Sequence, residues 1–113
     1  MDTSIDGGIG VVACRGELDM ATTPALDDAL AGLAGDPAVV AVVVDLSGLD
    51  FIDSSGLRAV VLADQQVRAQ GRRFALVPGG HPVHRVFEIT RMADRLSWVD
   101  SPGDLQPDAG EPA

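Results

Sequence analysis

The sequence predicts a single α/β domain: a mostly parallel central sheet of four to five strands with a short N-terminal hairpin, covered by three helices. One observation is that apolar, strand-like runs alternate with segments of helical periodicity, because strands linked by helices favour parallel pairing with right-handed crossovers. A second is the apolar run over residues 39–46, whose lack of polar alternation is typical of a central strand buried on both faces. A length of 113 residues suits one such domain.

The first third of the chain predicts a hairpin followed by a helix. Residues 2–5 and 9–15 form the two strands, separated by an Asp-Gly-Gly turn. The helix begins with Thr23 as its N-cap and Pro24 at its first position. Apolar residues at helical spacing form the inner face of this helix, namely Leu26, Ala29, Leu30 and Leu33.

The central strand and the elements after it follow the same alternation. Residues 47–50 (Ser-Gly-Leu-Asp) are expected to break the strand that begins at Val39, and Phe51 and Ile52 are expected to re-enter the core. The remaining predicted elements are a helix over residues 54–70, a strand over 74–77, a third helix around 83–87 and a last short strand over 96–99.

The end of the chain has a different composition. Residues 101–113 contain three prolines and two glycines and almost no apolar side chain. Such a segment cannot bury enough apolar surface to order itself. We therefore predict a folded domain over residues 1–100 and a disordered tail over residues 101–113.

Charge is distributed unevenly along the chain. The net charge is −9, and residues 1–53 hold ten acidic residues against Arg15 alone. An acidic half repels nucleic acid and could steer a basic protein surface towards it, although the acids could equally serve only solubility. We expect no direct nucleic-acid partner.

Several other classes of protein are not indicated by the sequence. No apolar run approaches the roughly 20 residues that span a membrane, and no secretory signal pattern is present. The lone Cys14 cannot form an internal disulfide and fits a reducing compartment. Neither a phosphate loop nor a dinucleotide fingerprint appears. We expect a cytoplasmic monomer or weak dimer with no cofactor, no metal and no membrane partner.

The segment Asp53-Ser54-Ser55-Gly56 carries the candidate chemistry. It follows a buried strand and opens a helix, the place where open α/β sheets tend to hold their sites. Asp and Ser are preferred N-caps, so a simple helix cap is one interpretation. One cap needs only one side chain, however, and we expect at least one of the hydroxyls of Ser54 and Ser55 to point outward.

This segment resembles a known family signature. Residues 45–57 (DLSGLDFIDSSGL) closely resemble the signature of anti-sigma factor antagonists, members of the domain family shared by sulfate transporters and anti-sigma antagonists (STAS). Residues 16–19 (GELD), followed by 22–26 (TTPAL), resemble the family's other motif. The resemblance covers residues 9–99 in the same order, but a proline-rich tail replaces the final helix that many relatives carry.

The resemblance implies a phosphorylation switch. In that family an anti-sigma factor, itself a serine kinase, phosphorylates the serine directly after the aspartate, which is Ser54 here, with Ser55 as the alternative. A serine phosphatase resets the switch, and the protein is a substrate rather than an enzyme. The resemblance also implies a partner-binding surface formed by Asp19, Asp53, Ser54, Ser55 and Gly56. Asp19 could instead be a loop acid that caps a neighbouring turn. An alternative function is a non-catalytic STAS subunit or scaffold of a membrane transporter or sensory assembly.

Overall fold

The computed structural model describes residues 1–105. Within this range four strands form one sheet in the order β1-β2-β3-β4, in which β1 is antiparallel to β2 and the other pairs are parallel. The elements are β1 (Asp2–Asp6), β2 (Ile9–Leu18), α1 (Thr23–Ala34), β3 (Ala41–Ile52), α2 (Ser54–Ala69), β4 (Arg73–Val77) and α3 (His81–Ile89). The predicted α/β class, with its N-terminal hairpin and three helices, is confirmed.

The last predicted strand is reduced to a single bridge. Trp98 pairs in parallel with Leu76 on the free edge of β4. The Leu76 N–H donates to the Ser97 carbonyl and the Val99 N–H donates to the Leu76 carbonyl, both at 2.9 Å. Residues 97–99 therefore continue the sheet without forming a full strand.

Both faces of the central strand are buried, as its apolar run predicts. Val42 and Val44 point into the larger core, between the sheet and the helices, while Ala41 and Val43 point into a smaller core on the opposite face. The larger core also contains Leu26, Leu30 and Leu33 of α1, Val60, Ala63 and Val67 of α2, and Val83 and Phe87 of α3.

The segment after the domain boundary differs from our expectation. Pro102–Asp104 forms a short 3-10 turn, closed by a 3.1 Å hydrogen bond from the Ser101 N–H to Asp104 Oδ2. Leu105 is buried and packs in the smaller core with Val43. The expectation of disorder is therefore wrong for residues 101–105, because one apolar side chain covers a sheet face that the helices leave open. The rest of the predicted tail lies outside the described residues.

The predicted break in the central strand is also wrong. β3 runs through residues 47–50 and stays paired with β2, because two register shifts each leave one extra residue in β3. One falls between the pairs Ala13–Asp45 and Arg15–Gly48. Such bulges bend a strand without ending it. Ile52 is buried as expected, whereas Phe51 does not re-enter the core and is 49% exposed.

Helix α1 begins one residue away from the predicted cap. Thr22, not Thr23, is the N-cap, and Pro24 lies in the first turn as expected. The C-terminal end of α1 is held by Arg72, whose Nη1 donates to the Leu33 carbonyl at 3.0 Å and whose Nη2 donates to the Ala34 carbonyl at 3.2 Å. A guanidinium suits this position because it satisfies carbonyls that have no partner within the helix.

Helix α2 approaches the end of β2 closely at Gly56. A β-carbon added to Gly56 would overlap the Leu18 carbonyl oxygen and lie 2.8 Å from Cγ1 of Ile52. The Leu18 carbonyl is a backbone group and cannot move aside as the end of a flexible side chain can. Gly56 is therefore required by packing.

We predict that Gly56→Ala lowers the free energy of unfolding by roughly 1–3 kcal/mol, because the added methyl group must push α2 away from β2. The matched control is Gly32→Ala in α1, where an added β-carbon meets nothing within 4 Å. That change should leave stability equal or raise it by up to about 1 kcal/mol. Urea denaturation followed by circular dichroism measures both, and a Gly56→Ala protein as stable as wild type contradicts the packing argument.

We predict that Leu105→Ala lowers the free energy of unfolding by roughly 2 kcal/mol, since it removes a buried side chain from the smaller core. The control is Ile89→Ala, because Ile89 is apolar but 66% exposed. Its loss should change stability by less than about 0.5 kcal/mol. The same unfolding measurement applies, and equal effects of the two substitutions would show that Leu105 does not belong to the core.

Candidate functional site

The loop between β3 and α2 is fixed by Asp53. This residue is the N-cap of α2, with an extended backbone (φ −110°, ψ −172°), and its Oδ1 accepts a hydrogen bond from the Gly56 N–H at 2.9 Å. Its own N–H donates to the Leu18 carbonyl at 3.3 Å, which ties the loop to the end of β2. The predicted helix cap is present, and Asp53 provides it.

The two serines differ in their surroundings. Ser54 is exposed and Ser55 is half-buried. The Ser54 position lies opposite the face of α2 that packs on the core, since Gly56 and Val60 are the first buried positions of that helix. Because Asp53 supplies the cap, the helix does not need the Ser54 hydroxyl for this purpose.

Ser55 lies in a groove between the start of α1 and the first half of α2. The groove has a volume of about 230 Å³. Its lining residues are Met20, Thr23, Asp27, Ser55, Arg58, Ala59 and Leu62. Two of these are large apolar side chains in contact with solvent: Met20 is 75% exposed and Leu62 is 41% exposed. The two side chains make this groove a candidate surface for binding another protein.

Asp19 lies beside the loop but is occupied by its own turn. Asp19 Oδ1 accepts hydrogen bonds from the N–H groups of Ala21 at 3.0 Å and Thr22 at 3.1 Å. In return the Thr22 hydroxyl accepts from the Asp19 N–H at 2.9 Å and donates to the Glu17 carbonyl at 2.9 Å. The structure therefore gives Asp19 the alternative role of capping a turn, and this turn carries Met20 to the groove.

Of the five residues predicted to bind a partner, Ser54 is exposed and Ser55, the next residue, lines the groove. Asp53 and Gly56 hold the loop in place through the helix cap and the close packing on β2. Asp19 belongs to the neighbouring turn, which leads from β2 to α1. The groove itself could not be predicted from the sequence, because its two walls come from segments separated along the chain.

Other chemistry is not supported in the part of the chain that the structure describes. Cys14 is buried in the larger core, and burial raises the pKa of its thiol to about 11, so the thiol stays protonated and unreactive. Among residues 1–105 no group of three His, Cys, Asp or Glu side chains could hold a metal ion. No helix in this range has the length and apolar character to cross a membrane.

Comparison with known proteins agrees with this architecture. The model of the STAS domain matches residues 1–104. The anti-sigma-F factor antagonist RsfB of Mycobacterium tuberculosis is 31% identical over 82 residues, which cover 73% of this chain and 66% of RsfB. This chain thus spans 66% of the length of that curated relative.

Solved structures give the same result. The crystal structure of an anti-sigma factor antagonist from Mycobacterium paratuberculosis matches with a TM-score of 0.78 and 27% identity, covering 90% of this chain and 86% of that one. The anti-sigma factor antagonist SpoIIAA, solved in its unphosphorylated form, matches with a TM-score of 0.76 over 99% of this chain and 98% of its own. Its 18% identity shows the fold alone. With the family model matching residues 1–104, the chain belongs to the STAS domain family.

Proposed function

We propose that this chain is an anti-sigma factor antagonist that binds an anti-sigma factor serine kinase, so that a sigma factor is released, and that phosphorylation of Ser54 switches it off. The observation that carries the proposal is the exposed Ser54 hydroxyl directly after Asp53, which already caps the helix. Both RsfB and the M. paratuberculosis protein are named as anti-sigma factor antagonists, which supports the same role. In this role the chain acts in the cytoplasm as a partner and substrate, not as an enzyme.

The proposed modification is a phosphoryl transfer from ATP held by the kinase. Ser54 Oγ forms a bond to the γ-phosphorus as the bond from that phosphorus to the β–γ bridging oxygen breaks. ADP leaves with the electron pair, and the hydroxyl proton passes to a base of the kinase. A serine phosphatase resets the protein by transferring the phosphoryl group to water, which restores the hydroxyl and releases inorganic phosphate.

Exposure favours Ser54 over Ser55 as the acceptor. A kinase must bring the hydroxyl in line with the γ-phosphate, and the exposed Ser54 allows this without disturbing the fold. Ser55 is half-buried and lines the groove together with Met20 and Arg58, so its hydroxyl is less accessible to a kinase than that of Ser54. Ser55 remains the alternative acceptor.

The fold should tolerate the phosphate. Phosphorylation adds a charge of about −1.5 to −2 at the first residue of α2, where unpaired N–H groups and the helix dipole favour negative charge. The hydrogen bond between Asp53 and the Gly56 N–H does not involve Ser54 and can persist. The switch must therefore act on the binding surface, through lost fit and through repulsion from nearby carboxylates, rather than through unfolding.

The partner surface we propose joins the Ser54 loop to the groove. Met20 and Leu62 supply apolar contact area, and Ser54 and Ser55 lie at its edge. Asp19 contributes by shaping the turn that carries Met20. A STAS subunit of a transporter or sensory assembly could share this fold, but it would not need a free serine at this position.

We predict that a cognate anti-sigma kinase, supplied with ATP, phosphorylates this protein at Ser54. Phosphopeptide mapping by mass spectrometry identifies the site, and Ser54→Ala and Ser55→Ala serve as matched variants. Incorporation should fall to background in Ser54→Ala and persist in Ser55→Ala. The reverse pattern assigns the site to Ser55, and no modification by a kinase that binds the protein argues for the scaffold role.

We predict that Ser54→Ala folds normally and binds the kinase at least as tightly as wild type, but is no longer released by ATP. Its stability should stay within about 1 kcal/mol of wild type, since the helix cap belongs to Asp53. Ser54→Asp should also fold and bind more weakly, with a partial effect because a carboxylate has less charge and fewer oxygens than a phosphate.

Titration of these variants against the kinase measures the effect, with circular dichroism as the folding control.

Met20→Ala tests the groove separately: it should weaken binding severalfold without changing phosphorylation-dependent release. Equal affinity of the wild-type, alanine, aspartate and phosphorylated proteins would mean that Ser54 has no switching role.

A further inference from the structure

Ser54 and Arg58 lie one helical turn apart on the outward side of α2. The buried positions of this helix are Gly56, Val60, Ala63 and Val67, and both Ser54 and Arg58 are exposed. Residues four apart on a helix have β-carbons about 5–6 Å from each other. A phosphate on Ser54 therefore falls within reach of the Arg58 guanidinium.

Within residues 1–105, Arg58 takes part in no ion pair. The ion pairs within residues 1–105 are Arg15–Asp2, Arg68–Asp64 and His84–Glu88. Arg58 instead lines the groove and is the one basic residue among its described lining residues, which also include Asp27. Its guanidinium is thus available to a stronger acceptor.

We propose that the phosphate on Ser54 draws the Arg58 guanidinium out of the groove and into an ion pair along α2, so that Arg58 is the positioning residue through which phosphorylation alters the binding surface. The inference rests on the proposed function of Ser54. It assigns to Arg58 a role that the loop residues themselves do not supply.

The phosphate should attract Arg58 more strongly than the Asp27 carboxylate does. It carries about twice the charge of the Asp27 carboxylate and offers three acceptor oxygens, which a guanidinium can bind through two parallel hydrogen bonds. The order along the helix is also favourable, because an acidic group four residues before a basic one interacts better than the reverse.

Withdrawal of Arg58 changes the groove in two ways. Among the described residues that line the groove, Arg58 is the one base and Asp27 the one acid, so loss of Arg58 leaves this lining acidic. The Arg58 side chain, which lines the groove, also moves, and this alters the shape presented to the partner. Both effects are local, and neither requires the backbone to move.

The ion pair can be tested without any kinase. The full chain carrying phosphoserine at position 54, introduced by genetic encoding, is titrated by phosphorus NMR to give the second pKa of the phosphate. A bound guanidinium lowers this pKa, so the phosphate of Arg58→Ala should bind its proton roughly two- to fivefold more tightly than that of wild type. Arg58→Lys should lie between the two.

The matched control is Arg73→Ala, which removes an exposed arginine at the start of β4. Like Arg58→Ala, it removes one positive charge from the protein, but it should leave the phosphate pKa unchanged. An identical pKa in wild type and Arg58→Ala overturns the proposal.

A binding measurement then tests the consequence. The ratio of kinase affinities between the unphosphorylated and phosphorylated forms should be at least severalfold smaller for Arg58→Ala than for wild type or Arg73→Ala. An unchanged ratio overturns the role of Arg58, even if the ion pair forms. If phosphorylation leaves the affinity of wild type for the kinase unaltered, the proposed function of Ser54 itself fails. If phosphorylation strongly weakens binding but wild type and Arg58→Ala have the same phosphate pKa, only the proposed role of Arg58 fails.

Discussion

The contact between the end of β2 and the start of α2 fixes the geometry of the site. The Leu18 carbonyl accepts the Asp53 N–H and lies against Gly56, so no side chain can separate the two elements. Asp19 follows Leu18 directly and begins the turn that leads to α1. One backbone position therefore determines where both loops lie, and with them the two walls of the groove. Parallel strands make this possible, because their carboxyl ends meet at one edge of the sheet.

The division of work between Asp53 and Ser54 explains how such a loop can be modified without loss of structure. A helix start needs acceptors for its unpaired N–H groups, and Asp53 Oδ1 supplies one to Gly56. If the serine itself were the cap, attaching a phosphate would change the group on which the helix depends. Because the cap comes from the preceding residue, the exposed Ser54 is not needed to cap the helix. The sequence Asp-Ser thus separates the structural task from the candidate chemical one.

The fold followed from the sequence wherever local pattern and burial agree. The apolar run of β3 predicted its double burial, and the helical spacing of Leu26, Leu30 and Leu33 predicted the inner face of α1. The errors lie where pairing with distant residues overrides local signals. Residues 47–50 look like a break, yet pairing with β2 holds them in the strand, and two bulges in β3 accommodate the extra residues. Leu105 looks like part of a polar tail, and only the three-dimensional arrangement shows the apolar face that it covers. The groove was missed for the same reason.

The charge of the domain limits how any phosphate on this loop could act. The chain already carries a net charge of −9, so the added charge changes its long-range field by only about a fifth. Beyond about 8 Å, salt at physiological concentration largely screens what remains. A partner attracted by the acidic surface would still be attracted after modification. The loss of binding caused by phosphorylation must therefore arise within a few ångströms of the loop, through changes in charge, apolar contact and shape at the interface. The groove lined by Met20, Leu62 and Arg58, among others, meets this requirement, because Ser55 of the same loop also lines it.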